Sequence, residues 1–384
     1  MQQVTVVVKL KILKNAKMMN KTRLIMVGGF LGAGKTTLLY ETTKILMEDG
    51  KRVGLITNDQ ASELVDTALL LQTNAKVAEV SGSCFCCNFN GFINSIKQVG
   101  IESQADIIIA EPVGSCTDLS ATIMQPLKEQ LNKELIISPL TVLADPIRLA
   151  DILDGRTAGL HPSAAYIFQK QLEESDIILI SKTDLLENDE LEFLKEKVKL
   201  HYPNSQVLTV SSKTGDGIAE WLKFIVSSTK TGQRIVDVDY DTYAEGEAVL
   251  GWLNSSINLK GEQVDWDTVV SNFLKELSQK IDSLKIGVGH IKIILENGTK
   301  YVIGNITGTS ETLSIRGAAG ISNEAQIIIN ARVGVNPDTL DKLVKEILEK
   351  VTKGTITAKI DAWKCLSPGY PNPTFRYDKV VINE

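Results

Sequence analysis

Short apolar runs alternate with amphipathic segments along the first part of the chain, between residues 24 and 228. Several runs are apolar almost throughout, as expected for strands that are buried on both faces of a parallel sheet. Segments with helical spacing separate them, for example 38–48, 191–201 and 217–226. The alternation predicts βαβ units and an α/β domain with a doubly wound, mostly parallel sheet. The predicted strands are 24–27, 53–57, 76–80, 106–110, 140–144, 177–181 and 207–210.

The pattern changes after residue 245 to one typical of a smaller α+β domain with a mostly antiparallel sheet. The dipeptide Asn297-Gly298 stands between two apolar runs and is a hairpin signal. We predict helices at 266–284 and 338–351 and strands at 290–295, 301–306, 325–331 and 359–365. The predicted organisation is an N-terminal extension at 1–21, the α/β domain at 22–230, a solvated acidic linker at 231–245 and the α+β domain at 246–384.

Composition limits the classes of function without choosing one. Of the 384 residues, 43% are hydrophobic and 23% are charged, which is ordinary for a globular protein. The net charge of −6 argues against a broad nucleic-acid surface, because such surfaces are usually basic. The sequence has no apolar stretch long enough to span a bilayer, and its N-terminus lacks the apolar core of a signal peptide. We therefore predict a cytoplasmic protein that binds neither nucleic acid nor membranes.

The segment after the first predicted strand fits the phosphate-binding pattern G-x-x-x-x-G-K-[ST]. Glycines allow successive backbone N–H groups to turn towards a phosphate, and the following helix adds the positive end of its dipole. Lys35 is expected to reach the β- and γ-phosphates, and the Thr36 hydroxyl is expected to ligate Mg²⁺. The alternative is an ordinary glycine-rich connection. The predicted phosphate-contacting residues are Gly29, Gly32, Ala33, Gly34, Lys35, Thr36 and Thr37.

Two acidic residues at strand ends are candidates for handling Mg²⁺ and the attacking water. Glu111 follows the predicted strand 106–110, where a carboxylate can hold Mg²⁺, and Gly114 can bring its N–H to the γ-phosphate. Asp59 follows the strand 53–57 and can position Mg²⁺ or water. The alternatives are a solvent-facing glutamate in a turn and an ordinary polar loop. With Lys35, these two carboxylates are the catalytic candidates.

The residues Ser181-Lys182-Thr183-Asp184 follow the predicted strand 177–181 and fit the base-recognition pattern [NST]-K-x-D. The Asp184 carboxylate can accept hydrogen bonds from N1–H and N2–H₂ of guanine, whereas adenine has no such pair of donors. The stem of Lys182 can pack along the base. Ser211 follows the next strand and is expected to contribute a contact to the base edge. The sequence therefore predicts guanine specificity, with Ser181 standing where asparagine is commonest.

Three thiols stand within four residues, at Cys84, Cys86 and Cys87. They follow a predicted strand, and three thiolates can converge on one soft cation such as Zn²⁺, which prefers four tetrahedral ligands. Such a site keeps one position open, which suits metal transfer better than a permanent structural role. The alternatives are buried apolar cysteines and a redox set of thiols. Cys116 follows Gly114 closely and is interpreted as a small buried residue.

Together these motifs resemble those of the CobW-type GTPases, metallochaperone relatives of the hydrogenase- and urease-maturation GTPases. The resemblance covers residues 22–228 and implies a P-loop NTPase fold with slow GTP hydrolysis coupled to metal handling. It implies that the three cysteines bind zinc or cobalt. Many family members carry a histidine-rich run, and the three histidines of this chain argue against bulk metal storage. The resemblance rests on residues 29–36, Glu111-x-x-Gly114, Cys84-x-Cys86-Cys87 and Ser181-Lys182-x-Asp184.

We therefore predict a Mg²⁺-dependent GTPase that hydrolyses GTP to GDP and phosphate. Hydrolysis would drive delivery of zinc, cobalt or a metal cofactor to a client metalloprotein or corrinoid protein, with a nucleotide-dependent homodimer as one form of the protein. Unassisted hydrolysis is expected on the order of 10⁻⁴ to 10⁻² s⁻¹, because no arginine finger is evident. The alternatives are a nucleotide-dependent reactivation factor for a corrinoid protein and a P-loop phosphotransferase.

Overall fold

The structure, a computed structural model, describes residues 21–62, 64–101, 103–228, 231–308 and 313–382. Apart from Lys21, the predicted N-terminal extension lies outside the described residues. The described chain forms an α/β domain followed by a second domain with an antiparallel sheet. Across these ranges, every helix is too short or too polar to cross a lipid bilayer.

The first domain is built on a sheet of eight strands that are parallel in every pairing. The strands are β1 (Thr22–Gly28), β2 (Val53–Asp59), β3 (Lys76–Ser81), β4 (Ile107–Glu111), β5 (Leu135–Ile137), β6 (Thr141–Ala144), β7 (Ile177–Ile180) and β8 (Gln206–Thr209). Their order is β3-β2-β4-β1-β6-β7-β8, and β5 also pairs with β1. This arrangement confirms the doubly wound α/β prediction, and only the short β5 was missed.

Nine helices accompany this sheet in the described residues, and they explain why its strands are apolar throughout. They are α1 (Lys35–Glu48), α2 (Val65–Leu71), α3 (Phe89–Ile96), α4 (Gln125–Gln130), α5 (Pro146–Leu153), α6 (Pro162–Glu174), α7 (Asn188–His201), α8 (Ile218–Ser227) and α9 (Tyr240–Ala248). Along β1, Leu24 and Met26 belong to one apolar cluster, and Ile25 and Val27 belong to another. Because successive side chains of a strand point to opposite faces, both faces of the sheet are covered.

The second domain contains a six-stranded antiparallel sheet and two helices. Its elements are β9 (Gly251–Asp265), α10 (Trp266–Leu284), β10 (Val288–Asn297), β11 (Lys300–Ile306), β12 (Ser314–Gly317), β13 (Ile321–Val333), α11 (Pro337–Thr352) and β14 (Ile356–Leu366). The strand order is β12-β11-β10-β13-β9-β14. The predicted helices and the hairpin around Asn297-Gly298 are present, which confirms the smaller α+β domain.

The long strand β9 was not predicted, because its first half contains buried polar residues in place of an apolar run. Asn254, Ser255 and Ser256 are almost completely buried. The Asn254 side chain donates a hydrogen bond to the carbonyl oxygen of Ser62, which lies in the first domain (3.0 Å). At least one of the buried polar residues that replace the apolar pattern, Asn254, therefore serves a contact between the two domains.

The prediction of a solvated linker at 231–245 is wrong for its final part, which lies in α9. Asp239 caps this helix by accepting a hydrogen bond from the Thr242 N–H (2.8 Å). The helix packs on α6, and a Cβ on Gly246 would lie only 2.4 Å from the carbonyl oxygen of Ser163. Tyr243 is buried. The segment shows no clear helical periodicity in the sequence, because it is rich in acidic residues and the apolar face that it buries is narrow.

The second domain lies directly on the loop that follows β1. Arg148, on α5, donates hydrogen bonds to the carbonyl oxygens of Leu31 (2.9 Å), Val288 (2.8 Å) and Gly289 (3.1 Å), and it also bonds to that of Thr307. Apolar residues of α2 pack against residues of β10 and β11 in one small cluster. The two domains are therefore joined around the segment predicted to bind phosphate.

Candidate nucleotide and metal site

The phosphate loop is the turn between β1 and α1, and its backbone requires glycine. Gly29 has a φ of 129°, and a Cβ there would lie 2.3 Å from the carbonyl oxygen of Leu143. Gly34 has a φ of 94° and immediately precedes α1. The strand–loop–helix context that the motif needs is therefore present, with the loop at the N-terminus of a helix of 14 residues.

Lys35, the first residue of α1, is buried inside this loop. Its ammonium donates hydrogen bonds to the carbonyl oxygens of Gly29 (2.8 Å) and Phe30 (3.3 Å). Burial lowers the pKa of Lys35 to about 8, and the carboxylate of Glu111 acts in the opposite direction. A Cβ on Gly114 would lie 3.0 Å from Lys35 Nζ, so the backbone of the Glu111–Gly114 segment passes directly beside the loop.

The other residues of the loop face the second domain or the core. A Cβ on Gly32 would lie 3.1 Å from Thr307 Cγ2. Ala33 is buried in the apolar cluster beneath α1. The Thr37 hydroxyl accepts a hydrogen bond from Arg316 of β12 (3.3 Å). These contacts place part of the predicted phosphate site against the second domain, which the sequence motifs do not indicate.

Thr36 stands between two carboxylates. Its hydroxyl donates a hydrogen bond to Asp66 Oδ1 (2.5 Å) and lies 3.1 Å from Glu111 Oε1. Burial raises the pKa of Glu111 to about 7, and the neighbouring Asp66 adds to this effect. Burial also disfavours ionised Asp66, but the ammonium of Lys292 outweighs it and lowers the pKa of that carboxyl.

This donor set fits Mg²⁺. Two carboxylates and a hydroxyl supply the oxygen ligands that the ion prefers. The second carboxylate oxygen of Glu111, Oε2, is buried and has no hydrogen-bond partner among the described residues. Asp66 was not named as a site residue from the sequence, because it belongs to no recognised motif and only the position of α2 brings it to Thr36.

Asp59 makes different contacts from those expected of it. Its carboxylate forms a buried ion pair with Arg332 of β13 (2.5 Å) and accepts a hydrogen bond from the Gln60 N–H (2.6 Å). The residue thus joins the end of β2 to the second domain. Among the described residues, the acidic contacts of Thr36 come from Asp66 and Glu111.

The predicted base-recognition residues meet at the ends of β7 and β8. The Ser211 hydroxyl donates a hydrogen bond to Asp184 Oδ1 (2.6 Å), and the Ser181 hydroxyl donates to the carbonyl oxygen of Ala144 (3.1 Å). Burial opposes ionisation of Asp184, but the Ser211 hydroxyl and a nearby lysine outweigh it and lower the pKa of the carboxyl. Lys182 pairs with Asp145 (2.8 Å). Asp184 is therefore an ionised acceptor at this sheet edge.

The three cysteines predicted to bind metal converge. Cys84 Sγ lies 3.0 Å from the sulfur atoms of both Cys86 and Cys87, which are 3.9 Å from each other. Thiolates at ~2.3 Å from one tetrahedral Zn²⁺ would be about 3.8 Å apart. The cluster therefore has nearly the size that a single zinc ion requires, and small shifts of the side chains would complete the fit.

The cysteine loop is held to the neighbouring strand by one side chain. Asn58, in β2, donates hydrogen bonds to the carbonyl oxygens of Val80 and Ser83 (both 2.8 Å) and accepts one from the Phe85 N–H (2.8 Å). At the far side of the loop, Asn88 caps α3 by accepting a hydrogen bond from the Gly91 N–H (3.0 Å). The thiols are thus fixed between the ends of β2 and α3.

Cys116 is a fourth thiol beside this cluster. It is buried in the same core cluster as Cys84 and Cys86, and it shifts the pKa values of both thiols. The thiols of Cys116 and its neighbours hold the pKa of Cys84 well below its usual range. The interpretation of Cys116 as a small buried residue is confirmed, and its position shortly after Gly114 is the sequence signal for its place near the other thiols.

The last described segment of the chain, residues 367–382, folds back over the cysteines. The Asn372 N–H donates to Cys87 Sγ (3.3 Å), and the Thr374 N–H donates to the carbonyl oxygen of Cys86 (2.8 Å). Arg376 then forms an ion pair with the buried carboxylate of Asp118 (2.7 Å). We refer to residues 367–382 as the C-terminal tail. Its contacts cover the thiols from the solvent side.

The chain is similar in sequence to known proteins. Residues 23–209 match the family model described as the CobW/HypB/UreG nucleotide-binding domain. A zinc chaperone CobW of Sinorhizobium sp is 28% identical over 216 residues, which cover 50% of this chain and 58% of that protein. The zinc chaperone YjiA of Escherichia coli is 26% identical, with 50% and 58% covered. The chain thus spans less than two thirds of the length of these relatives.

Solved structures also match this chain at low identity. The hydrogenase maturation factor HypB from Archaeoglobus fulgidus is 19% identical and has a TM-score of 0.40, with 55% of this chain and 91% of that chain covered. The Zn(II)-bound YjiA GTPase from E. coli is 16% identical and has a TM-score of 0.35, with 86% and 99% covered.

The tail contacts lead to a prediction about thiol reactivity. Arg376→Ala removes the ion pair with Asp118 and is expected to loosen the tail, so the labelling rate of Cys87 by a thiol reagent should rise several-fold. The rate is measured by mass spectrometry of labelled peptides. Arg156→Ala, which removes only exposed ion pairs with Asp151 and Asp154, is the matched control. Unchanged labelling of Cys87 in Arg376→Ala would contradict a covering role for the tail.

Proposed function

We propose that this protein, whose residues 23–209 belong to the CobW/HypB/UreG nucleotide-binding family, is a GTPase that hydrolyses GTP to GDP and phosphate to drive metal delivery. The observation that carries the proposal is the convergence of three thiols at the same sheet edge as the phosphate loop. Its relatives named zinc chaperones support zinc as the metal.

In this proposal the phosphate loop binds the triphosphate, and the residues around Thr36 hold its metal ion. Lys35 contacts the β- and γ-phosphates, and Thr36, Asp66 and Glu111 offer oxygen ligands to Mg²⁺. When bound, Mg²⁺ neutralises charge on the phosphates. Gly114, whose backbone lies beside Lys35 Nζ, brings its N–H towards the γ-phosphate. Loss of that contact after hydrolysis would release the segment that follows.

That segment contains Cys116, which supports a direct mechanical route from nucleotide to metal. Cys116 is buried in the same cluster as Cys84 and Cys86, and Gly114 lies beside the phosphate loop. A change in the position of Gly114 therefore moves a thiol of the metal cluster. By linkage, GTP and metal must alter each other's binding by the same factor.

In this proposal the three motif thiolates hold the cargo metal, and Cys116 becomes the fourth ligand when its side chain shifts towards them. Zn²⁺ fits a set of four thiolates, and Co²⁺ can occupy the same tetrahedral set. Because ligand thiols must lose protons, metal affinity should rise with pH. Free thiols persist in a reducing compartment, which supports a cytoplasmic location.

The client is proposed to be a metalloprotein or a corrinoid protein that accepts the metal when the C-terminal tail moves away from Cys87. A homodimer that forms with bound nucleotide remains part of the proposal. A phosphotransferase would instead pass phosphate to an acceptor other than water and would not need the thiols. The following experiments separate these functions.

Loss of the three motif thiols is the first test. The triple variant Cys84→Ser, Cys86→Ser, Cys87→Ser is expected to lose at least about 100-fold in Zn²⁺ affinity, because serine does not replace a thiolate ligand. Zn²⁺ binding is measured by competition with a chromogenic chelator. Cys365→Ser, in β14, is the control and should bind Zn²⁺ normally. Wild-type affinity in the triple variant would exclude the metal site, and phosphate transfer to a small molecule would favour the phosphotransferase.

The role of Cys116 has a spectroscopic test. Replacing Zn²⁺ with Co²⁺ gives a sulfur-to-cobalt absorption band whose intensity follows the number of bound thiolates. In Cys116→Ser this band should fall by about a quarter, since one of four thiolates is lost. Cys365→Ser is again the control. A band of unchanged intensity would show that Cys116 is not a ligand.

Guanine choice is tested at Asp184. Asp184→Asn replaces an acceptor with an amide and should shift preference from guanosine to xanthosine nucleotides, with a loss of GTP affinity of at least about 10-fold. Binding is measured with fluorescent analogues of both nucleotides. Asp216→Asn, on the exposed turn after Ser211, is the control. Retained preference for GTP in Asp184→Asn would reject the assignment of this carboxylate to the base.

A further inference from the structure

A lysine of the second domain reaches the oxygen atoms that Mg²⁺ of the nucleotide would need. Lys292 Nζ, from β10, lies 2.6 Å from Asp66 Oδ1 and 3.2 Å from Thr36 Oγ1. The side chains of Lys292 and Asp66 are only 17% and 19% exposed. None of the sequence motifs predicted this contact, because the two partners are more than 200 positions apart along the chain.

The contact has a fixed geometry because β10 is anchored on both sides of Lys292, to the phosphate loop before it and to α2 after it. Before it, Gly289 packs so closely on Leu31 that a Cβ would lie 2.8 Å from Leu31 Cδ1. After it, Ile294 packs in the same cluster as Val65 of α2. Lys292 is therefore held at Thr36 by the packing of the strand as a whole.

The charges around this lysine favour its position. Carboxylates of Asp66 and Glu111 face it, and they offset the cost of burying an ammonium group. His290, on the same strand, adds no positive charge, since burial together with the neighbouring cations holds its pKa well below its usual range. The remaining buried cations nearby are Lys35 of the phosphate loop and Arg332, which is paired with Asp59.

Mg²⁺ and the ammonium of Lys292 need the same atoms. Mg²⁺ binds oxygen at about 2.0–2.1 Å and requires a lone pair directed at it. Thr36 already accepts a hydrogen bond from Lys292, and Asp66 Oδ1 accepts one from the same group. Two cations on one carboxylate oxygen and one hydroxyl repel each other strongly in a buried site.

We propose that Lys292 is a nucleotide sensor of the second domain, which competes with Mg²⁺ for Thr36 and Asp66 and is displaced when Mg²⁺-nucleotide binds. Displacement removes one of the contacts of β10 with the phosphate loop region and loosens the second domain from the first. The inference rests on the proposed function only in requiring a Mg²⁺-nucleotide at the phosphate loop. It gives the second domain a role in reporting the nucleotide state.

The competition predicts that removing the ammonium strengthens Mg²⁺ binding. In Lys292→Met, which keeps the length of the side chain, the Mg²⁺ concentration for half-maximal binding of a fluorescent GTP analogue should fall about 5-fold or more. Lys260→Met is the matched control, because Lys260 forms an equally short but exposed ion pair with Glu324 (2.6 Å) in the same domain. Lys292→Arg should resemble the wild type more closely than Lys292→Met does.

Two results would overturn the proposed competition between Lys292 and Mg²⁺. An unchanged Mg²⁺ requirement in Lys292→Met would show that the ion pair is purely structural. The variant would then have a lower melting temperature, and the difference from the wild type would not depend on Mg²⁺. A raised Mg²⁺ requirement or weaker binding of the GTP analogue would make Lys292 a ligand of the nucleotide. If the protein does not prefer guanine nucleotides, the same Mg²⁺ titration with an ATP analogue still measures the competition. Binding of neither analogue would overturn both the inference and the proposed function.

A measurement on the wild-type protein does not depend on the folding of a variant. Hydrogen exchange of the backbone amides in 288–297 should become faster when Mg²⁺ and a non-hydrolysable GTP analogue are added together. The analogue with a chelator should have a smaller effect, because nucleotide alone does not compete for Asp66. Unchanged or slower exchange with Mg²⁺ present would show that β10 stays in place and would reject the proposal.

Discussion

The buried ion pair between Lys292 and Asp66 is the contact on which the arrangement of the two domains depends most directly. A buried ammonium without a partner costs several kcal/mol, so each domain needs the other to satisfy this pair. A second pair, Arg332 with Asp59, repeats the arrangement at the end of β2. Both pairs join a carboxylate of the first domain to a cation of the second. Ion pairs therefore hold the interface beside the phosphate loop, where a bound triphosphate would add charge.

This location explains why the interface and the nucleotide site should not be independent. A triphosphate with Mg²⁺ brings both anionic and cationic groups close to Lys35, Thr36 and Lys292. A buried ion pair is stable only while its charge environment is unchanged, because the low dielectric that strengthens attraction also strengthens repulsion. The proposed displacement of Lys292 uses this property of a buried ion pair.

The thiol cluster depends on the same sheet edge through different contacts. Asn58 holds the cysteine loop to β2, whose last residue, Asp59, bonds to the second domain. On the other side, Cys116 is buried in the same cluster as Cys84 and Cys86 and follows Gly114, which lies beside the phosphate loop. The thiol cluster therefore lies between β2, which the interface holds, and the segment that passes beside the phosphate loop. The C-terminal tail adds a cover that is held by Arg376 and Asp118.

Local sequence was sufficient for seven of the eight strands of the first domain and for the motifs of its candidate site. Buried parallel strands need continuous apolar runs, and a phosphate loop needs glycines such as Gly29 at fixed spacing, so both leave a signal in a few consecutive residues. The same holds for the three clustered cysteines. The strand β9 and the helix α9 left no such signal, because buried polar groups replaced the apolar pattern.

Only the tertiary structure decided which distant residues complete the site. Asp66, Cys116 and Lys292 belong to none of the motifs and reach Thr36 or the thiols through the packing of whole elements. An ion pair or a fourth ligand depends on distances between side chains, which sequence spacing does not determine across separate strands. The sequence by itself therefore determined the phosphate loop and the thiol triplet, and the packing of two domains decided what surrounds them.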